Sequence, residues 1–162
     1  MIQSKILSWF MFNPLGEAMR TVPWLFPLGQ VLHFFGLCFL IGAILIVDLR
    51  LLGFLRKLKV EAALALIPVA IWAFVLNVVT GLAFFTSDPG RYWLNPAFKL
   101  KMAAVVLAGV NALWFTFVAQ RRVLALPQGA PAALGTKITA VLSLTFWFSV
   151  ILLGRLLPVY QP

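Results

Sequence analysis

The sequence predicts an all-α fold, an integral-membrane four-helix bundle with a short interfacial N-terminal helix. Three observations carry this. Of 162 residues, 63% are hydrophobic and only 10% are charged, more apolar surface than a soluble core of this size can hide. Mean hydropathy is +1.03. The apolar residues also fall into four runs of about 20 residues or more, each enough to cross a ~30 Å hydrocarbon core at ~1.5 Å per residue.

The elements follow in order. Residues 1–22 form an interfacial segment, and residues 23–162 form the transmembrane domain. In the first segment Ile2, Ile6, Leu7, Trp9, Phe10 and Met11 mix with Gln3, Ser4, Lys5 and Ser8, a pattern that lies in the headgroup plane rather than spanning. Asn13-Pro14 is an N-cap followed by a first-turn proline, opening a second short turn through Arg20. Pro23 and Pro27 bracket Trp24 at headgroup level. Helix 1 is expected over about 27–55, closed by Arg56, Lys57 and Lys59, and helix 2 over about 61–86, kinked by Pro68. Asp88-Pro89-Gly90 reads as a turn. Helix 3 starts at Asn95-Pro96 and runs to about Gln120, stopped by Arg121 and Arg122. A loop with Pro127, Gly129 and Pro131 leads to helix 4, about 132–157, ended by Pro158. No signal-peptide pattern stands at the N-terminus, so the first span reads as retained.

The net charge of +9 does not point to nucleic acid. The basic residues stand mostly at the ends of apolar runs, where they anchor helices against anionic lipid headgroups. Arg56, Lys57, Lys59, Arg121 and Arg122 cluster on the side of the 1–2 and 3–4 loops, whereas Lys5, Arg20 and Arg91 are spread over the other. The positive-inside rule then places both termini outside the cytoplasm. Cys38 stands alone, so no internal disulfide or CxxC motif is available. It reads as a buried small hydrophobe.

The candidate site centres on His33, the single histidine, in a stretch with no other charge from Leu28 to Val47. An ionisable group inside a membrane span is costly and marks a functional site by default. His33 is six residues past Pro27, Lys101 five past Pro96 and Arg155 three before Pro158, about 9, 7.5 and 4.5 Å from their helix ends. All three ends lie on one side, so a histidine and two cations share a leaflet. Lys99 and Lys101 are about 200° apart on the helix. Lys101 shares its side with Ala104, Ala108 and Ala112, a small-residue stripe suited to helix contact, so Lys101 should face the bundle and Lys99 should snorkel outward.

Such a histidine has four uses. It can ligate a haem iron, with Lys101 and Arg155 pairing the propionates and Gly36, one turn on, letting a flat macrocycle approach. It can hydrogen-bond a quinone, relay protons, or simply bridge two helices. Met102 is a candidate second axial ligand beside Lys101. Asp48 and Arg50, at the far end of helix 1, read as anchors, and Thr136, Thr139 and Ser143 as helix–helix glue. The Phe and Trp residues read chiefly as lipid-facing.

The runs HFFGLCFLIGAILIVDLRLLG (33–53) and NPAFKLKM (95–102) resemble an uncharacterised bacterial family of four-helix membrane proteins. That family is similar in plan to the HemJ-type protoporphyrinogen oxidases and the CopD copper-resistance domains. In the HemJ type, a first-helix histidine and a lysine early in a later helix are associated with b-type haem. The matching positions are His33 and Lys101. The resemblance implies a metal ligand at His33 and a haem- or quinone-associated redox function. With no second histidine, a second axial ligand must come from elsewhere. One His, one Cys and four Met make a poor soft-ligand set for copper. The alternative is a non-catalytic accessory subunit of a larger membrane complex. Expected partners are membrane lipids and a second copy or a host complex. Paired acids or a broken central helix, as in transporters, are not evident.

Overall fold

The computed structural model describes residues 9–10, 13–127 and 130–160; most of the interfacial segment expected before Asn13 lies outside them. The described residues form helices and connecting turns, with no strand among them. Four helical stretches, Leu25–Leu52, Val60–Ser87, Pro96–Leu124 and Leu134–Leu156, are long and apolar enough to cross a membrane. They alternate in direction. One end of the bundle, the terminal face, carries Leu25, Ser87, Pro96 and Leu156; the other, the loop face, carries residues 53–59, 125–127 and 130–133.

Helix α1 (Pro14–Thr21) opens on Asn13, whose side chain accepts from the Gly16 N–H at 2.8 Å. It packs on the terminal end of the second span. A Cβ on Gly16 would lie 2.5 Å from the Thr86 carbonyl oxygen, so only glycine fits this crossing. Arg20 donates to the Thr86 and Ser87 carbonyls at 3.2 and 3.1 Å, satisfying acceptors that a helix C-terminus leaves free. Helix α2 (Leu25–Leu52) ends at Gly53, whose φ of 97° is the left-handed cap that favours glycine. This stop falls before the basic residues expected to close the helix.

The second span is two helices, α3 (Val60–Leu64) and α4 (Ile67–Ser87). The break falls just before Pro68, at the expected kink. Asp88 does not sit in a simple turn. It caps a further short helix, α5 (Pro89–Leu94), by accepting from the Arg91 N–H at 3.1 Å. Asp88-Pro89 thus repeats the cap-plus-proline device of Asn13-Pro14 and Asn95-Pro96. The third span starts as α6 (Pro96–Trp114), passes through a π-helical segment, Phe115–Ala119, and ends as α7 (Gln120–Leu124). Arg121 and Arg122 therefore lie within the final turn and do not terminate the helix. Helix α8 (Leu134–Leu156) is the fourth span.

The first span packs along the second and the fourth, and the third along the fourth. Between second and third spans, α3 meets α7 near the loop face, and at the terminal end Phe85 stacks on Phe98 with centroids 5.8 Å apart. Phe74 meets Trp147 of α8 edge-on at 5.9 Å. Two apolar clusters fill the interior. One, toward the loop face, joins Val47, Leu51, Leu64, Phe115 and Ala140; the other joins Leu40, Ala73, Ala104, Ala108, Trp147 and Val150. Trp147 and Phe115 are buried, while most other large aromatics are exposed along the spans, as side chains facing lipid must be.

Candidate functional site

His33 lies half-buried on α2 and faces α4. Its Nδ1 is 2.7 Å from the Thr80 hydroxyl oxygen. That hydroxyl has one proton, and the Leu76 carbonyl lies 2.7 Å away to receive it. Thr80 therefore accepts from the Nδ1–H of His33. In the neutral ring this fixes the tautomer and leaves Nε2 with a free lone pair. Phe84 packs edge-on against the imidazole at 5.5 Å, and Gly81 lies under its Cε1, 3.8 Å from where a Cβ would stand. A histidine held by Nδ1–H with Nε2 open is the arrangement seen in metal-ligating imidazoles. It equally suits accepting a proton or a hydrogen bond from a ligand O–H.

Lys101 is turned inward. It is half-buried, lies within electrostatic reach of His33, and runs over Gly154 of α8, with Nζ 3.4 Å from the position of a Cβ there. Lys99 is exposed, as the helical spacing requires. The stripe beside Lys101 continues through Ala104 and Ala108, both buried, but not through Ala112, which is exposed; Phe115 takes over instead. Met102 is exposed and points away from this face.

Two expected site residues are placed differently. Gly36 does not offer an open face to a macrocycle. A Cβ there would lie 2.6 Å from Asn77 Nδ2 and 3.2 Å from the Ala73 carbonyl oxygen, so this glycine serves the crossing of α2 and α4. Arg155 is exposed rather than turned into the bundle with Lys101. Cys38 is likewise exposed, not buried, because it falls on the outer side of α2.

Asn77, which with Thr80 and Gly81 the sequence places in the half of the second span nearer the terminal face, faces α2 at Gly36. Its amide nitrogen donates to the Ala73 carbonyl at 2.9 Å, while its Oδ1 is buried with no hydrogen-bond partner. It stands one turn below Thr80. This region thus holds an open His33 Nε2, a buried unpartnered acceptor, Asn77 Oδ1, and one half-buried cation, Lys101. Among the described residues no three His, Cys, Asp or Glu side chains converge.

At the other end of α2, Asp48 and Arg50 are 5% and 3% exposed. They face the bundle interior, not the headgroups. Arg50 donates its Nε–H to the Leu58 carbonyl at 2.6 Å and so ties down the turn after Gly53. Spacing could have found Asp48, which follows Leu40 and Ile44 at intervals of four on the core-facing side. The third and fourth spans are joined at this stripe through the backbone: Asn111 Nδ2 donates to the Thr139 carbonyl at 3.1 Å, while the Thr139 hydroxyl, expected to bridge helices, donates to the Gly135 carbonyl of its own helix.

Four antiparallel spans and an ionisable cluster inside them define a polytopic helical membrane protein. Residues 7–159 match the family of unknown function DUF6644, and the chain belongs to that family. No curated protein and no solved structure matches it. Nothing in the family match connects the chain to the HemJ-type oxidases or the CopD domains.

Proposed function

We propose that this protein is a membrane-embedded redox protein that holds a haem b or a quinone-type cofactor at His33. The observation that carries the reading is the His33–Thr80 hydrogen bond, which leaves Nε2 open beside Lys101. For haem, His33 would ligate the iron and Lys101 would pair a propionate, with any further ligand coming from outside this set. For a quinol, His33 Nε2 and Asn77 Oδ1 would accept from its hydroxyls, and Lys101 would favour the developing phenolate. The likeness of His33 and Lys101 to the HemJ-type histidine and lysine supports the haem form. The orphaned Asn77 Oδ1 supports the quinol form. Arg155 and Gly36 stand outside this reading.

The arrangement suits a bacterial inner membrane, with the terminal face periplasmic and Arg56, Lys57, Lys59, Arg121 and Arg122 cytoplasmic. A second copy or a host complex would supply any further ligand. The test is the absorption spectrum and lipid extract of protein purified in mild detergent. A Soret band lost in His33→Ala identifies haem, and co-purifying quinone lost in the same variant identifies the quinone form. A second reading has an observation of its own. Asn77 fills the space beside Gly36 and Arg155 is exposed, and in this reading the His33–Thr80 bond serves to bridge α2 and α4. The protein is then a non-catalytic subunit of a larger membrane complex. Colourless, quinone-free protein with a His33→Ala variant that still assembles and functions would select it.

A further inference from the structure

Asp48 is the one acid inside the bundle. The chain has four acidic residues, and the other three, Glu17, Glu61 and Asp88, are exposed. Asp48 is 5% exposed, lies about 22 Å along α2 from His33, and takes no part in that site. One carboxyl oxygen, Oδ2, is buried with no hydrogen-bond partner. The hydrogen-bonding neighbour of the carboxyl is the side chain of Ser143 on α8.

No cation pairs with Asp48 among the described residues. Arg50, also buried, is two residues on and about 200° round the helix; its Nε–H goes to the Leu58 carbonyl and its Nη2 is buried without a partner, so it makes no ion pair with Asp48. On α8, Lys137 precedes Ser143 by six residues, about 240° round, and so lies on another face. The second span carries one ionisable residue, the exposed Glu61, and the third carries none between Lys101 and Arg121. An ionised carboxylate here would be a lone charge in a medium that solvates ions poorly. A neutral acid carries no such penalty, and a hydroxyl neighbour can bond to it in either direction.

A row of hydroxyls leads from Ser143 toward the loop face along α8; that of Thr139 donates to the Gly135 carbonyl of its own helix at 3.0 Å. Thr136, Thr139 and Ser143 follow one another at intervals of three and four, on one face, over about 10 Å of axis toward the loop face. Thr136 and Thr139 are 8% and 7% exposed.

We propose that Asp48 is an intramembrane proton-binding site, whose carboxyl holds a proton and exchanges it with the loop-face solvent along Ser143, Thr139 and Thr136. This does not depend on a cofactor at His33. Infrared spectroscopy of the full chain in lipid vesicles at neutral pH tests it. The expected result is a carbonyl stretch of a protonated carboxylic acid that shifts in D2O, disappears in Asp48→Asn, and moves in Ser143→Ala as its hydrogen bond is lost. Thr139→Val should slow deuterium entry into that band at least threefold. Absence of the band in the wild type, or its persistence in Asp48→Asn, overturns the assignment. Should Asp48→Asn fail to fold, an unmoved band in Ser143→Ala overturns it instead. An unchanged exchange rate in Thr139→Val overturns the route.

Discussion

The side-chain nitrogen of Asn77 sits 2.6 Å from the point a Cβ on residue 36 would occupy. That closeness fixes how α2 and α4 cross, and with it the approach of His33 to Thr80 one turn nearer the terminal face. Gly36→Ala must push the amide aside, and the Ala73 carbonyl at 3.2 Å leaves little room on that side. We expect a loss of about 1–3 kcal/mol, the usual range for overpacking, despite the better helix propensity of alanine. Gly42 is the control, because nothing lies within 4 Å of its Cβ position. Thermal unfolding in detergent should show Gly36→Ala melting earlier and Gly42→Ala unchanged or later; equal melting would contradict the close crossing.

Thr80 acts on His33 through one hydrogen bond, so isosteric replacement isolates it. Thr80→Val keeps the shape and leaves the Nδ1–H without an acceptor, a loss of about 1–3 kcal/mol for an orphaned buried donor. Thr80→Ser should restore most of it. Nitrogen NMR of labelled histidine gives the direct check. The wild type should populate the Nδ1–H tautomer, and Thr80→Val should give a mixture. An unchanged tautomer in Thr80→Val would show that another group holds the ring.

Orientation can be read from the loop face. Ala125 is exposed just after α7, next to Arg121 and Arg122. Ala125→Cys in a Cys38→Ser background should resist a membrane-impermeant thiol reagent in intact cells and react after permeabilisation. Ready labelling of intact cells would invert the proposed topology.

The spans were legible because burial in lipid leaves one solution: long apolar helices bounded by caps and cations. Three Asx-Pro pairs announced helix starts, though Asp88-Pro89 looked like a turn because its helix is only six residues long. Helix ends were less visible, since Gly53 stops α2 through backbone conformation while Arg121 and Arg122 stop nothing. For the site, spacing on a single helix was sufficient to orient Lys101 against Lys99. What it could not give was anything that depends on the neighbouring helix. Gly36 looked like room for a ligand because the sequence does not say that Asn77 fills it. Asp48 and Arg50 looked like anchors because their charge suggested headgroups, whereas the core-facing side of α2 carries Asp48 inward.

The two lysines of α6 provide the sharpest comparison, since they are two residues apart and differ mainly in direction. Lys101 is half-buried and crosses Gly154, whereas Lys99 is exposed. If Lys101 neutralises an anionic group of a cofactor at His33, Lys101→Ala should reduce its retention at least tenfold, about 1.4 kcal/mol of binding. Lys99→Ala should stay within twofold, because an exposed snorkelling cation contributes little beyond headgroup contact. Gly154→Leu offers an independent approach to the same cation. Its side chain would occupy the space over which Lys101 runs, displacing the ammonium without removing the charge, and retention should fall as it does in Lys101→Ala. The readout is cofactor per mole of purified protein. Equal tolerance of Lys99→Ala and Lys101→Ala would reduce Lys101 to a second interfacial anchor and remove the cation from the proposed site.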